Sequence, residues 1–186
     1  MNTQVLNSNL NLGDPYKGYW QSRTWLDWAF AALCIAGAAS AFGLYSSHMD
    51  VYERAILFGA VPAAILLGWF WRSLQVLMVG VAAVSLTAIW LYGGQIGRAD
   101  QVFWLKYMLS SQSAILWMSL LFFMSTGFYW LGVFSRGETA SLIGSRLCWA
   151  AVTMALIGTM VRWAEGYMIG PDIGHIPVSN LYEVFV

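Results

Sequence analysis

Charge is scarce in this chain. Asp, Glu, Lys and Arg make up 10% of its 186 residues, where soluble domains carry roughly 25%. The water-facing shell of an ordinary soluble domain cannot be built from so few. Nine basic against nine acidic residues leave no net charge, which argues against nucleic acid as a partner and against a polybasic membrane-surface patch. Cysteine is nearly absent: Cys34 and Cys148 each sit in an apolar run without a Cys-x-x-Cys neighbour. That excludes a disulfide framework, a zinc site and a thiol redox pair, and predicts two buried free thiols. Histidine also occurs only twice, as His48 and His175. No Gly-x-Ser-x-Gly, Gly-x-x-x-x-Gly-Lys or His-Glu-x-x-His pattern is present, so no residue takes a catalytic role from a motif and no metal-ligand set stands out. The first twenty residues are polar and Asn-rich, with Asp14, Pro15 and Lys17. They lack the apolar core of a cleavable signal.

What fills the sequence is apolar, at 59%, with aromatics at 16%. Residues 25–46 form a run of about 22 residues, enough at roughly 1.5 Å per residue to cross about 30 Å of hydrocarbon. Further spans fall at 55–71 and 74–93, separated only by Arg72 and Ser73 and therefore an antiparallel hairpin. Two more follow at 113–134 and 147–168, joined by a polar loop. Pro62 inside the second span predicts a packing kink. Residues 95–112, with Arg98, Asp100 and Lys106 among aromatics, are too polar to span and read as an interfacial helix. The expectation is an all-α, polytopic transmembrane helix bundle of five spans plus the start of a sixth. Residues 1–24 would be a cytoplasmic tail and 25–186 the membrane domain, cut short at Val186.

Tryptophan supports these boundaries. Trp20, Trp25, Trp28, Trp69, Trp71, Trp90, Trp104, Trp117, Trp130, Trp149 and Trp163 fall near span ends, as an aromatic belt anchored at the bilayer interfaces would. With the N-terminus inside, Lys17, Arg23, Arg72, Arg136 and Arg146 are cytoplasmic, and Arg54, Arg98, Lys106 and Arg162 lie outside. Five against four favours that orientation under the positive-inside rule and places His175 outside.

Few residues could carry chemistry. Arg23 and Asp27, four apart at the start of the first span, share a helix face and are expected to pair. Arg162 and Glu165, three apart at the outer end of the fifth span, can pair in the same way. Beside Trp163 and Tyr167, the Arg162 cation would also suit an anionic amphiphile such as the carboxylates of heme. His175 reads first as a hydrogen-bonded structural histidine, and His48 beside Met49 cannot supply two axial ligands to one iron from a single short turn. In the last segment, Ser179 or Asn180 caps a helix start, and Glu183 can reach back to its orphan amides. Only Leu181, Tyr182, Val184, Phe185 and Val186 of a sixth apolar run follow.

That stretch, Gly174-His175-Ile-Pro177-Val-Ser179-Asn180-Leu181-Tyr182-Glu183, resembles the Gly-His-x-Pro-x-Ser-Asn-Leu-Tyr-Glu motif of the c-type cytochrome biogenesis family, called CcsA or CcsB/ResC in different lineages. Residues 102–117 and 169–175 also look like the proteobacterial branch of that family. The resemblance covers most of the chain but about the first half of a family member. It implies a polytopic subunit of the System II cytochrome c synthase in the bacterial inner membrane. Such a subunit works with a ResB-type partner to carry heme across the bilayer and present it to apocytochrome c. Attachment to a Cys-x-x-Cys-His site rests on positioning and on axial ligation of the iron. The family's Trp-Gly-x-Tyr-Trp-x-Trp-Asp signature and its heme-ligand histidines would lie beyond Val186, so no ligand role passes to His175 and the fragment is not expected to attach heme alone. Two rival readings are a membrane scaffold or transporter subunit without heme chemistry, and a short protein that pairs with a separately encoded second half.

Overall fold

A computed structural model describes residues 23–46, 49, 51–135 and 137–170. The described residues are almost all helical, with no strand among them. The helices are α1 (Trp25–Tyr45), α2 (Val51–Phe70), α3 (Arg72–Tyr92), α4 (Ser111–Ser135) and α5 (Glu138–Ile169). Four of the described helices carry stretches long and apolar enough to cross a membrane: Trp25–Leu44, Arg72–Tyr92, Ser111–Ser135 and Glu138–Ile169. The apolar part of α2, Arg54–Phe70, is shorter, and the segment expected to open a further span lies outside the described residues. Many large apolar side chains face outward, with Phe70 at 92%, Phe123 at 80% and Trp90 at 77% exposure. A water-soluble surface would not tolerate so many, whereas hydrocarbon makes them the favourable exterior.

The chain divides into two compact units, Met1–Val76 and Leu77–Val186, with α3 beginning in the first. In the first unit α1 and α2 run side by side. Gly68 on α2 lets Phe30 of α1 approach so closely that a β-carbon there would collide with the Phe30 ring. Pro62 lies inside α2 and the helix continues past it. Proline has no N–H, so the Phe58 carbonyl loses its usual donor four residues on. Cys34 and Cys148 are free thiols but half-buried rather than fully buried.

In the second unit, α4 and α5 form a close antiparallel pair. Apolar burial drives helices together only weakly in lipid, so small residues that let backbones approach carry the packing. Gly132 lies directly against Ser141, and a β-carbon on Gly144 would stand 3.3 Å from the Ser125 carbonyl. Ser125 Oγ donates to the Gly144 carbonyl at 2.7 Å, and Gly158 fits against Ala114 and Ile115. A core of Val81, Ala88 and Tyr92 from α3, Leu105, and Ile157 and Val161 from α5 closes the other side of α5.

Two expectations are corrected. The polar loop 135–146 is mostly helix: α5 starts at Glu138, directly after Gly137. The polar residues of this stretch are competent helix formers, Glu138 favours the positive end of the helix dipole, and Ser141 and Gly144 are needed in the seam with α4. The single interfacial helix at 95–112 is replaced by a 3-10 turn, Ile96–Asp100, and a π-type turn, Leu105–Leu109. α3 ends on Gly93 and Gly94 at φ 54° and 76°, a left-handed conformation in which glycine is unstrained. Beyond that reversal the Arg98 and Gln101 amides bond to carbonyls three residues back and the Ser110 amide to the carbonyl five back, Leu105, so no continuous α-helical ladder forms. Ser110 then caps α4, its Oγ accepting from the Ser113 N–H at 3.3 Å.

Candidate functional site

The second unit places one carboxylate at its polar centre. Glu165 on α5 is 5% exposed, in a segment otherwise apolar enough to span a membrane. A buried charge there is expensive unless it is paired and fully hydrogen-bonded, and here it is. Oε1 accepts from the Tyr92 hydroxyl at 2.6 Å and from the Ser111 N–H at 3.0 Å. Oε2 accepts from Ser111 Oγ at 2.5 Å and faces Arg162 Nη1 at 3.7 Å. Ser111 is the first residue of α4, so the carboxylate meets an otherwise unpaired amide at the positive end of that helix. Glu165 thereby joins the end of α3, the start of α4 and the last turns of α5. Three donors use its lone-pair sites and a cation stands beyond hydrogen-bond range, an arrangement suited to holding helices in register.

The expected Arg162–Glu165 pair is present, with the Arg162 side chain 45% exposed. Arg162 reaches outward from a site whose centre is buried. Trp163 and Tyr167 lie one turn apart on a face away from Glu165. Trp163 Nε1 is buried without a hydrogen-bond partner, while Tyr167 is exposed. The motif residues Gly174, His175, Pro177, Ser179, Asn180, Leu181, Tyr182 and Glu183 lie outside the described residues, as does His48. Among the described residues, no three of His, Cys, Asp and Glu gather as a metal site.

A second buried carboxylate organises the first unit. Asp27 is 4% exposed. Its Oδ2 accepts from the Thr24 N–H at 2.8 Å and the Thr24 hydroxyl at 2.9 Å, a local cap on the start of α1. Its Oδ1 accepts from Gln75 Nε2 at 2.8 Å, and Arg72 stands 3.7 Å from Oδ2. The cation anticipated from spacing, Arg23, sends Nη1 to the Trp69 carbonyl at 2.6 Å and lies over the Trp69 ring. The i, i+4 spacing was a poor guide because α3 delivers Arg72 and Gln75 to the same carboxylate. Trp69 is an exception to the aromatic belt: it is 8% exposed and donates Nε1 to the Asp27 carbonyl at 2.9 Å.

Tyr92, Ser111, Gln75 and Arg72 were not anticipated as partners. Gln75 stands out as a polar residue in an apolar run, and the serines at 110, 111 and 113 mark a helix start, but neither pattern names a partner.

The class these observations define is a helical, membrane-embedded protein with buried polar crosslinks near its helix ends. Comparison with protein-family models, with characterised proteins and with solved structures finds no match.

Proposed function

We propose that this chain is the N-terminal membrane portion of a CcsA/CcsB-type cytochrome c assembly protein, handling heme as cargo beside a ResB-type partner. On this reading it lies in the bacterial inner membrane with its N-terminus cytoplasmic, has five spans and the start of a sixth, and serves apocytochrome c. The observation that carries the reading is the motif from Gly174 to Glu183, which follows α5 in the sequence. A helix end held through Tyr92 and Ser111 is a suitable base from which to present such a segment. Arg162 and Tyr167, both open to the surface, suit a propionate and a ring face of the cargo. The iron, once ligated and reduced, supplies the chemistry of thioether formation, and this chain's contribution is to bind and orient.

The test is copurification. The chain, extended through its native coding sequence and purified with its partner, should carry a Soret band. A colourless complex that still assembles would refute heme handling. Arg162→Ala should lower holocytochrome c yield while membrane insertion stays intact, and an unchanged yield would remove Arg162 from the reading. A scaffold or transporter subunit is the rival, favoured by the saturation of Glu165 with donors from its own chain. It predicts an assembled, heme-free complex.

A further inference from the structure

We propose that the face of α2 around Gly59 and Pro62 is a docking surface for a transmembrane helix of another chain, one that carries a neutral hydrogen-bond donor at its midpoint. This goes beyond the heme reading and does not depend on it. α2 has two glycine faces. Gly68 is buried, and the Phe30 ring of α1 occupies the place its side chain would take. Gly59 stands two and a half turns earlier, at roughly 3.6 residues per turn, and so on the opposite face. Nothing lies within 4 Å of where its β-carbon would be. A glycine inside a helix destabilises it relative to alanine, and in lipid its return is the close approach of a second backbone. At Gly68 that approach is made by α1. At Gly59 no described residue makes it.

The same face holds an acceptor without a donor. Pro62 lies three residues beyond Gly59 and is exposed, as are Ala55, Phe58 and Ala63. Having no N–H, Pro62 leaves the Phe58 carbonyl without its helical partner, and among the described residues no side chain donates to it. Pro62 is at the midpoint of the apolar stretch Arg54–Phe70, where hydrocarbon holds no water to serve as donor, so a neighbouring helix must supply one. A second copy of α2 cannot, because residues 55–68 contain no hydroxyl, carboxamide or charged side chain. The short apolar stretch points the same way, since a helix too short for the hydrocarbon relieves the mismatch by associating with others.

The test places the full chain in phosphatidylcholine vesicles with a leucine-rich transmembrane peptide that has serine at its midpoint, or with its alanine counterpart, and reads association by energy transfer. The serine peptide should bind about threefold more tightly. Pro62→Ala, which returns an N–H to the Phe58 carbonyl, should abolish that difference, and Gly59→Ile should weaken binding of both peptides. Gly127→Ile, at an equally open glycine of α4, should change neither. Equal binding of the two peptides by the wild type overturns the proposal without recourse to any variant. So does a serine preference that survives in Pro62→Ala, binding undiminished in Gly59→Ile, or an equal loss in Gly127→Ile.

Discussion

Asp27 and Glu165 solve one problem in two ways. Both are carboxylates about as deeply buried as each other, at 4% and 5% exposure, and both meet a helix start. Asp27 caps its own helix, so half of its ligation lies within three residues and forms as soon as α1 does. Glu165 is held from a distance, by Ser111 and Tyr92 at separations of 54 and 73 residues. Its own helix supplies only an arginine at 3.7 Å. The local carboxylate also meets Gln75 and Arg72 of α3, but it keeps its cap on α1 when a remote partner is lost. The distant one secures three elements and has little support unless all are in place.

The largest expected effect is therefore at Glu165. Replacing it with Ala strands the Tyr92 hydroxyl and two Ser111 donors in a buried site and should lower stability by about 3 kcal/mol, read as a fall in melting temperature in detergent. Asp27→Ala should lower it less, by about 1.5 kcal/mol, because Gln75 keeps its bond to the Gly68 carbonyl and Thr24 lies near the interface. Equal losses at the two sites would end the distinction between them. Tyr92→Phe removes one buried donor and should lower stability by about 1 kcal/mol. Combined with Ser111→Ala it should be non-additive, since both act through the same carboxylate. Arg162→Ala should have the smallest stability effect, under about 1 kcal/mol, for a side chain 45% exposed and not in hydrogen-bond contact. A loss as large as that at Glu165 would show instead that the charge pair, and not the hydrogen bonds, holds the site.

Much of the architecture was legible in the residues. Apolar runs of spanning length located α1, α3 and α4 to within a few residues, because hydrocarbon thickness dictates helix length and leaves no alternative backbone structure. The same reasoning misjudged the start of α5. Glu138, Ser141, Ser145 and Arg146 are polar, but polarity separates lipid from water and not helix from loop. It also merged residues 95–112 into one helix, where the folded backbone forms a 3-10 turn and then a π-type turn. At the sites, the Arg162–Glu165 pair was readable from its spacing of three. Arg23 and Asp27 followed the same rule, yet Asp27 is met by Arg72 and Gln75 from α3.

By itself, then, the sequence determined that this is a helical chain suited to a bilayer, where its helices run, and which motif follows the last of them. These depend on composition and on periodicities of a few residues, which act whether or not the helices have met. Only the tertiary structure decided which polar groups share a carboxylate, why Trp69 is buried while other tryptophans face outward, and that Ser111 at the start of one helix closes the end of another. Those outcomes rest on contacts between residues 42 to 73 positions apart. No local pattern records them, because a buried charge takes whichever donors the packed helices bring within about 3 Å.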